Sequence, residues 1–230
     1  MSNDMPISAT QKALVIGATG LVGRNLVDLL LKDAAYSEIA VFVRRSTGII
    51  HPKLTEYIVD FDSPDDWSDK LQGDVLFSAM GTTIKRAESQ AAQYRVDYDY
   101  QYNTARLAAA NGVANYVLVS AMNANPRSPI FYSQMKGKLE IAVQKLPFRT
   151  ITLIRPGLLY GERDHSRFGE EMMYTIISGL NKIGLLRKMR PIHGREVAQA
   201  MIVAAATAEG TKSYTGYELF DLSAQYGCKL

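Results

Sequence analysis

One stretch constrains this chain more than any other: Ala13-Leu14-Val15-Ile16-Gly17-Ala18-Thr19-Gly20-Leu21-Val22-Gly23-Arg24-Asn25-Leu26. Four apolar residues run into three glycines spaced three apart, and apolar positions at helical spacing follow at Leu21, Val22, Leu26, Leu29 and Leu30. The pattern reads as a strand, a tight turn and a helix. Such a turn sets backbone N–H groups and the positive end of the helix dipole where a pyrophosphate can sit. Gly17 would allow the sharp turn, Gly20 a close phosphate approach and Gly23 close helix–strand packing, with Thr19, Leu21 and Val22 bordering the same spot. The spacing is G-x-x-G-x-x-G, and glycines between a strand and a helix also serve as plain turn chemistry. The strand ends further along have to decide between the two readings.

The remaining pattern repeats the theme. Strands are expected over 12–17, 39–43, 54–59, 74–79, 116–120, 150–155 and, last, 218–222, with a short one at 191–192. Helices are expected over 21–32, 90–111, 131–145, 170–183 and 195–208. Alternation with short connections predicts an α/β fold: a doubly wound, mostly parallel sheet with helices on both faces and a small C-terminal lobe. At 230 residues the chain suits one domain over 12–230 after a loose polar segment at 1–11, with 161–192 as its substrate-side segment. In such sheets ligands lie beyond the carboxyl ends of the strands.

The residues just after each strand are therefore the informative ones. Arg44 and Arg45 follow the second strand, and no acid lies between Ile39 and Glu56. An acid there would favour NAD through the ribose 2′-hydroxyl; an arginine pair suits the 2′-phosphate of NADP. Asp60 and Phe61 end the third strand, where they would meet adenine or else serve as a turn acid and a core aromatic. Ala79, Met80 and Gly81 end the fourth strand with little bulk, leaving room for a cofactor to cross. Ser120 ends the fifth strand. On the helix after it, Tyr132 and Lys136 share a face at i, i+4. A nearby ammonium favours the phenolate, so this tyrosine could exchange a proton with a carbonyl or alcohol oxygen. Lys136 could also hold a nicotinamide ribose, and Ser120 could donate to the same oxygen.

Together these motifs resemble an atypical short-chain dehydrogenase/reductase. The resemblance is carried by Gly17-x-x-Gly20-x-x-Gly23, Ser120, Tyr132-x-x-x-Lys136 and Arg155-Pro156-Gly157. More narrowly the chain is similar to the Tat-interacting-protein group, through Val43-Arg44-Arg45, Val59-Asp60-Phe61, Gly81-Thr82-Thr83, Val96-Asp97-x-Asp99-Tyr100 and Tyr132-Ser133-Gln134-Met135-Lys136-Gly137. The resemblance implies a Rossmann-like domain binding NADP(H), a Ser120–Tyr132–Lys136 triad that Asn103 completes, and Pro156 and Leu158 flanking the nicotinamide. It also implies a homodimer through the helices at 90–111 and 131–145.

Composition bounds the partners. A net charge of +3 with no Lys/Arg cluster argues against nucleic acid. The first residues lack a signal-peptide pattern, no apolar run approaches the roughly 18 residues of a membrane span, and the single cysteine, Cys228, suits a reducing compartment. These features lead to the expectation of a cytoplasmic protein acting on a small molecule. His51, His165 and His193 have no metal-ligand spacing. The Tyr94/Tyr98/Tyr102 stripe reads as core or subunit interface. Two rivals to an NADP-dependent oxidoreductase are a cofactor-sensing regulator and a sugar-nucleotide epimerase. The second would need more chain than follows Gly161.

Overall fold

The computed structural model describes residues 10–161 and 190–227. Seven parallel strands form the sheet, in the order β3-β2-β1-β4-β5-β6-β9. They are β1 (Gln11–Ile16), β2 (Tyr36–Val43), β3 (Leu54–Ile58), β4 (Val75–Ser78), β5 (Asn115–Val119), β6 (Thr150–Arg155) and β9 (Thr211–Thr215). The order reverses between β1 and β4, which opens a crevice at their carboxyl ends.

The sheet is covered on both faces because alternate strand residues belong to two separate cores. Ala13 and Val15 of β1 pack with α1 (Leu21–Lys32) and α6 (Gly194–Thr207). Leu14 and Ile16 pack instead with Phe42, Trp67, Tyr116 and the helices α4 (Tyr100–Ala110) and α5 (Phe131–Val143). Trp67 comes from a 3₁₀-helix, Pro64–Lys70, and donates its indole N–H to the Asp60 carbonyl at 2.8 Å. The helix expected over 90–111 is composite: α3 (Gln90–Tyr94), a π-helical turn (Arg95–Asp99) and α4. A short α2 (Ile84–Ala87) precedes it.

Two expectations about the C-terminal part change. The segment 218–222 is not a strand. It lies in a helix, α7 (Tyr217–Gln225), which buries Leu219 and Leu222 three apart on one face. The last strand is the polar run Thr211–Thr215, an edge strand whose residues are mostly exposed and which therefore lacks an apolar signature. Leu159–Tyr160 (β7) pairs in parallel with Ile192–His193 (β8), closing the chain on either side of 162–189. The helix expected over 170–183, and His165, lie outside the described residues.

Candidate functional site

The glycine turn is built as its sequence requires. Gly17 has φ +81°, and a Cβ there would meet the Ala79 carbonyl carbon at 2.4 Å, so the turn presses directly on the end of β4. A Cβ on Gly23 would lie 2.0 Å from the Gly17 carbonyl oxygen, which makes glycine the only residue that lets α1 sit this close. Gly20 donates its N–H to the Gly17 carbonyl at 2.9 Å and then caps α1 without any side-chain bond, and no acid lies in the first helical turn. The helix start thus carries no carboxylate to compete with an anion. Thr19 is exposed, while Val22 is buried and offers only its backbone. Leu21 packs its side chain toward β7 and β8: a Cβ on Gly161 or Gly194 would come within 2.9 or 2.8 Å of it.

Arg44 and Arg45 stand exposed beyond β2 and make no ion pair among the described residues. The strand-end reading of Asp60 and Phe61 is altered. Asp60 is exposed, and its carboxylate accepts the Asp62 N–H at 2.9 Å. Phe61 is 3% exposed, wedged between Trp67 and Tyr100 at ring separations of 5.4 and 5.5 Å. This is the core-aromatic alternative of the two readings for Phe61, beside a turn acid at Asp60. Ala79 and Met80 are partly buried and Gly81 is exposed.

Ser120 sits at the end of β5, 4% exposed, and its Oγ has no hydrogen-bond partner among the described residues. Tyr116 Oη and Thr152 Oγ1 are likewise buried without a partner, but of the three only Ser120 lies just past a strand's carboxyl end. Tyr132, in the first turn of α5, is 39% exposed, and the Lys136 Nζ lies 6.0 Å from its ring centre. Two contacts fix α5. A Cβ on Gly137 would meet the Pro126 nitrogen at 2.3 Å, so the helix packs tightly against the 125–126 loop. Arg155, at the end of β6, makes a bidentate bond to the buried Glu140 at 2.9 and 2.5 Å. That bond outweighs partial burial and holds the guanidinium pKa above its ordinary value. Pro156, which follows, is buried, and its carbonyl accepts the Met122 N–H at 3.0 Å; Leu158 is exposed.

Lys136 has a partner that sequence reasoning missed. Its ammonium pairs with Asp97 at 3.3 Å, with side chains only 3% and 1% exposed. The second Asp97 oxygen accepts the Thr82 N–H at 2.8 Å, so one carboxylate links the lysine to the loop after β4. Gln101 continues the network by donating to the Asp97 carbonyl at 2.7 Å and accepting from Ser78 Oγ at 2.7 Å. Asn103 is partly exposed and its side chain makes no hydrogen bond among the described residues; the side chain that meets Lys136 is Asp97. The signal was present, since Asp97, Gln101, Thr104, Ala105 and Ala108 form one helical stripe that begins with polar residues on a buried face. A small depression of about 10 Å³ lined by Met122, Gly157, Ile192 and Phe220 lies beside these strand ends, with the Arg190 guanidinium stacked on Phe220 at 4.2 Å. Among the described residues no cluster of His, Cys, Asp or Glu has metal-binding geometry, and no helix is long and apolar enough to cross a membrane.

The comparisons with known proteins agree with this geometry. The model of a family described as NAD(P)H-binding matches residues 17–167. A protein named FMP52, mitochondrial, from Meyerozyma guilliermondii is 34% identical over 199 residues, covering 84% of this chain and 85% of that protein. The rat protein HTATIP2 is 32% identical over 164 residues, covering 70% and 67%. The chain therefore belongs to the NAD(P)H-binding, Rossmann-like family of short-chain dehydrogenase/reductase type. Among solved structures, MoeE5 in complex with UDP-glucuronic acid and NAD superposes with a TM-score of 0.69 at 18% identity, covering 89% of this chain and 75% of that one. A UDP-glucose 4-epimerase from Thermotoga maritima gives 0.66 at 15%, covering 94% and 83%. At such identities the likeness concerns the fold. The expectation of a cytoplasmic protein is corrected by the relatives, since several fungal ones carry mitochondrial names. A lone cysteine bounds redox chemistry and does not name a compartment.

Proposed function

We propose that this protein is an NADP(H)-dependent oxidoreductase that interconverts a small carbonyl compound and its alcohol. The observation that carries this reading is a buried Lys136 with its ammonium 6.0 Å from the Tyr132 ring centre on α5, in a chain whose β5 ends on Ser120 with its unpartnered Oγ. A protein that only sensed a cofactor would not need Tyr132 and Lys136 together.

The residues present fit the cofactor. The uncapped start of α1 suits the diphosphate, Arg44 and Arg45 suit a 2′-phosphate, and the small residues Ala79 and Gly81 leave room over the crevice. When bound, the nicotinamide supplies the hydride acceptor or donor. Ser120 donates a hydrogen bond to the substrate oxygen and orients it. Tyr132 gives that oxygen its proton, or takes it in the reverse direction, and Lys136 stabilises the phenolate. The rest of the substrate lies against Met122 and Gly157, beside the strand ends.

The test is NADPH oxidation across a panel of aldehydes, ketones and quinones. Tyr132→Phe should lose at least about 100-fold in turnover while keeping NADPH affinity. Unchanged turnover in that variant would overturn the mechanism.

A further inference from the structure

The loop that carries Arg44 and Arg45 is held by a residue with no part in the chemistry above. Glu56 lies on β3, in register with Val41 of the neighbouring β2. Its Oε2 accepts the Thr47 N–H at 2.7 Å and the Thr47 hydroxyl at 2.6 Å, and the neighbouring Ser46 side chain also favours the ionised carboxylate. The two hydroxyls in turn hold the following turn: Ser46 Oγ accepts the Gly48 N–H at 3.1 Å, and Thr47 Oγ1 accepts the Ile49 N–H at 3.2 Å. Partial burial would raise the Glu56 pKa, but these bonds outweigh it and hold the carboxyl below its ordinary value.

Two consequences follow for the arginines. The loop is already folded around the carboxylate, so presenting the guanidinium groups requires little ordering on binding. And Glu56, the one acid between Ile39 and Asp60, is engaged by its own loop through Thr47. It does not pair with Arg44 or Arg45, which make no ion pair among the described residues. We infer that Glu56 is a positioning residue for cofactor selectivity: by tying itself to Ser46 and Thr47 it keeps the arginine pair ordered and unquenched for a 2′-phosphate. This rests on the reading of Arg44 and Arg45 as the 2′-phosphate contact.

The experiment measures NADPH and NADH affinity by titration for the full-length wild type, Glu56→Ala, the double variant Ser46→Ala/Thr47→Val, and Arg44→Ala/Arg45→Ala, with circular dichroism as the folding check. Glu56→Ala should weaken NADPH binding about three- to tenfold and leave NADH nearly unchanged. Ser46→Ala/Thr47→Val should weaken NADPH at least as much, because it releases the carboxylate to pair with or screen the arginines. If Glu56→Ala and the double variant both keep the wild-type NADPH-to-NADH ratio while Arg44→Ala/Arg45→Ala abolishes it, the arginine reading stands and the role of Glu56 is refuted. A wild type with no preference refutes both. A purely structural role for Glu56 would lower both affinities by the same factor, and that result also overturns the proposal.

Discussion

Gly23 shows how much one residue decides here. Its missing side chain is the space in which the Gly17 carbonyl sits, and the neighbour is backbone, which cannot step aside. Gly23→Ala should cost on the order of 3 kcal/mol, because overpacking against rigid backbone forces the helix off the strand. Chemical denaturation reads this directly, and a loss below about 0.5 kcal/mol would mean that the turn is looser than described. The Lys136–Asp97 pair makes the opposite case, a cost that comes from removing something. Asp97→Ala should destabilise the protein by about 3–5 kcal/mol, since it leaves an ammonium buried without its counter-charge. Removing both charges with Asp97→Asn/Lys136→Met should recover much of that loss in the same denaturation series. If the double variant is instead as unstable as the sum of the singles, the two residues are not coupled. At this scale the sequence was a fair guide to the tight turn at Gly17 and Gly23 and to the placing of Tyr132 and Lys136 on one helix, because each belongs to a short motif with a fixed spacing. It was a poor guide to Asp97 and Glu56, whose partners lie 39 and 9 positions away, Lys136 for Asp97 and Thr47 for Glu56, and depend on how elements meet.

Among the elements, strands with apolar runs were legible and the edge strand was not. Thr211–Thr215 faces solvent along most of its length, so nothing in its composition distinguishes it from a loop. Leu219 and Leu222 in α7 looked like strand residues in a five-residue window, but their spacing of three is helical, and only the packing of α7 against α6 reveals which period applies. The π-helical turn at 95–99 was also illegible, although it carries Asp97 into the site. Helices α1 and α6 are joined at the surface by Asp28, which meets Lys32 and Arg195. The Lys32 bond, helped by Arg195 and opposed by partial burial, holds the Asp28 carboxyl below its ordinary pKa. A carboxyl lowered on folding adds stability that is complete above its unfolded value, about 3.9, and is lost as pH falls through the folded value. The melting-temperature gap between wild type and Asp28→Asn should therefore be constant near neutrality and close in strong acid. A gap that widens as pH falls would contradict the assignment.

For the molecule as a whole, one sheet brings the ends of its strands to a single edge, and that is why residues from 17 to 158 can serve one ligand. Alternation of strand and helix was enough to foresee a mostly parallel sheet with its ligand edge at the strand ends; the family was legible in the glycine turn and the motifs after the strands. Compartment was not foreseeable, because nothing that folds the domain depends on it. Met122, Gly157, Ile192 and Phe220 come together from well-separated parts of the chain, a convergence no local pattern encodes. The central claim is that these strand ends form an NADP cradle, and thermal denaturation with NADPH or NADH at equal concentration tests it most directly. A ligand at 100 times its Kd adds about 2.7 kcal/mol of stability, and each tenfold weaker affinity removes about 1.4 kcal/mol of that. We expect NADPH to raise the melting temperature by several degrees more than NADH, with the difference vanishing in Arg44→Ala/Arg45→Ala. Equal stabilisation of the wild type by the two cofactors would contradict the account, because the 2′-phosphate is all that separates them.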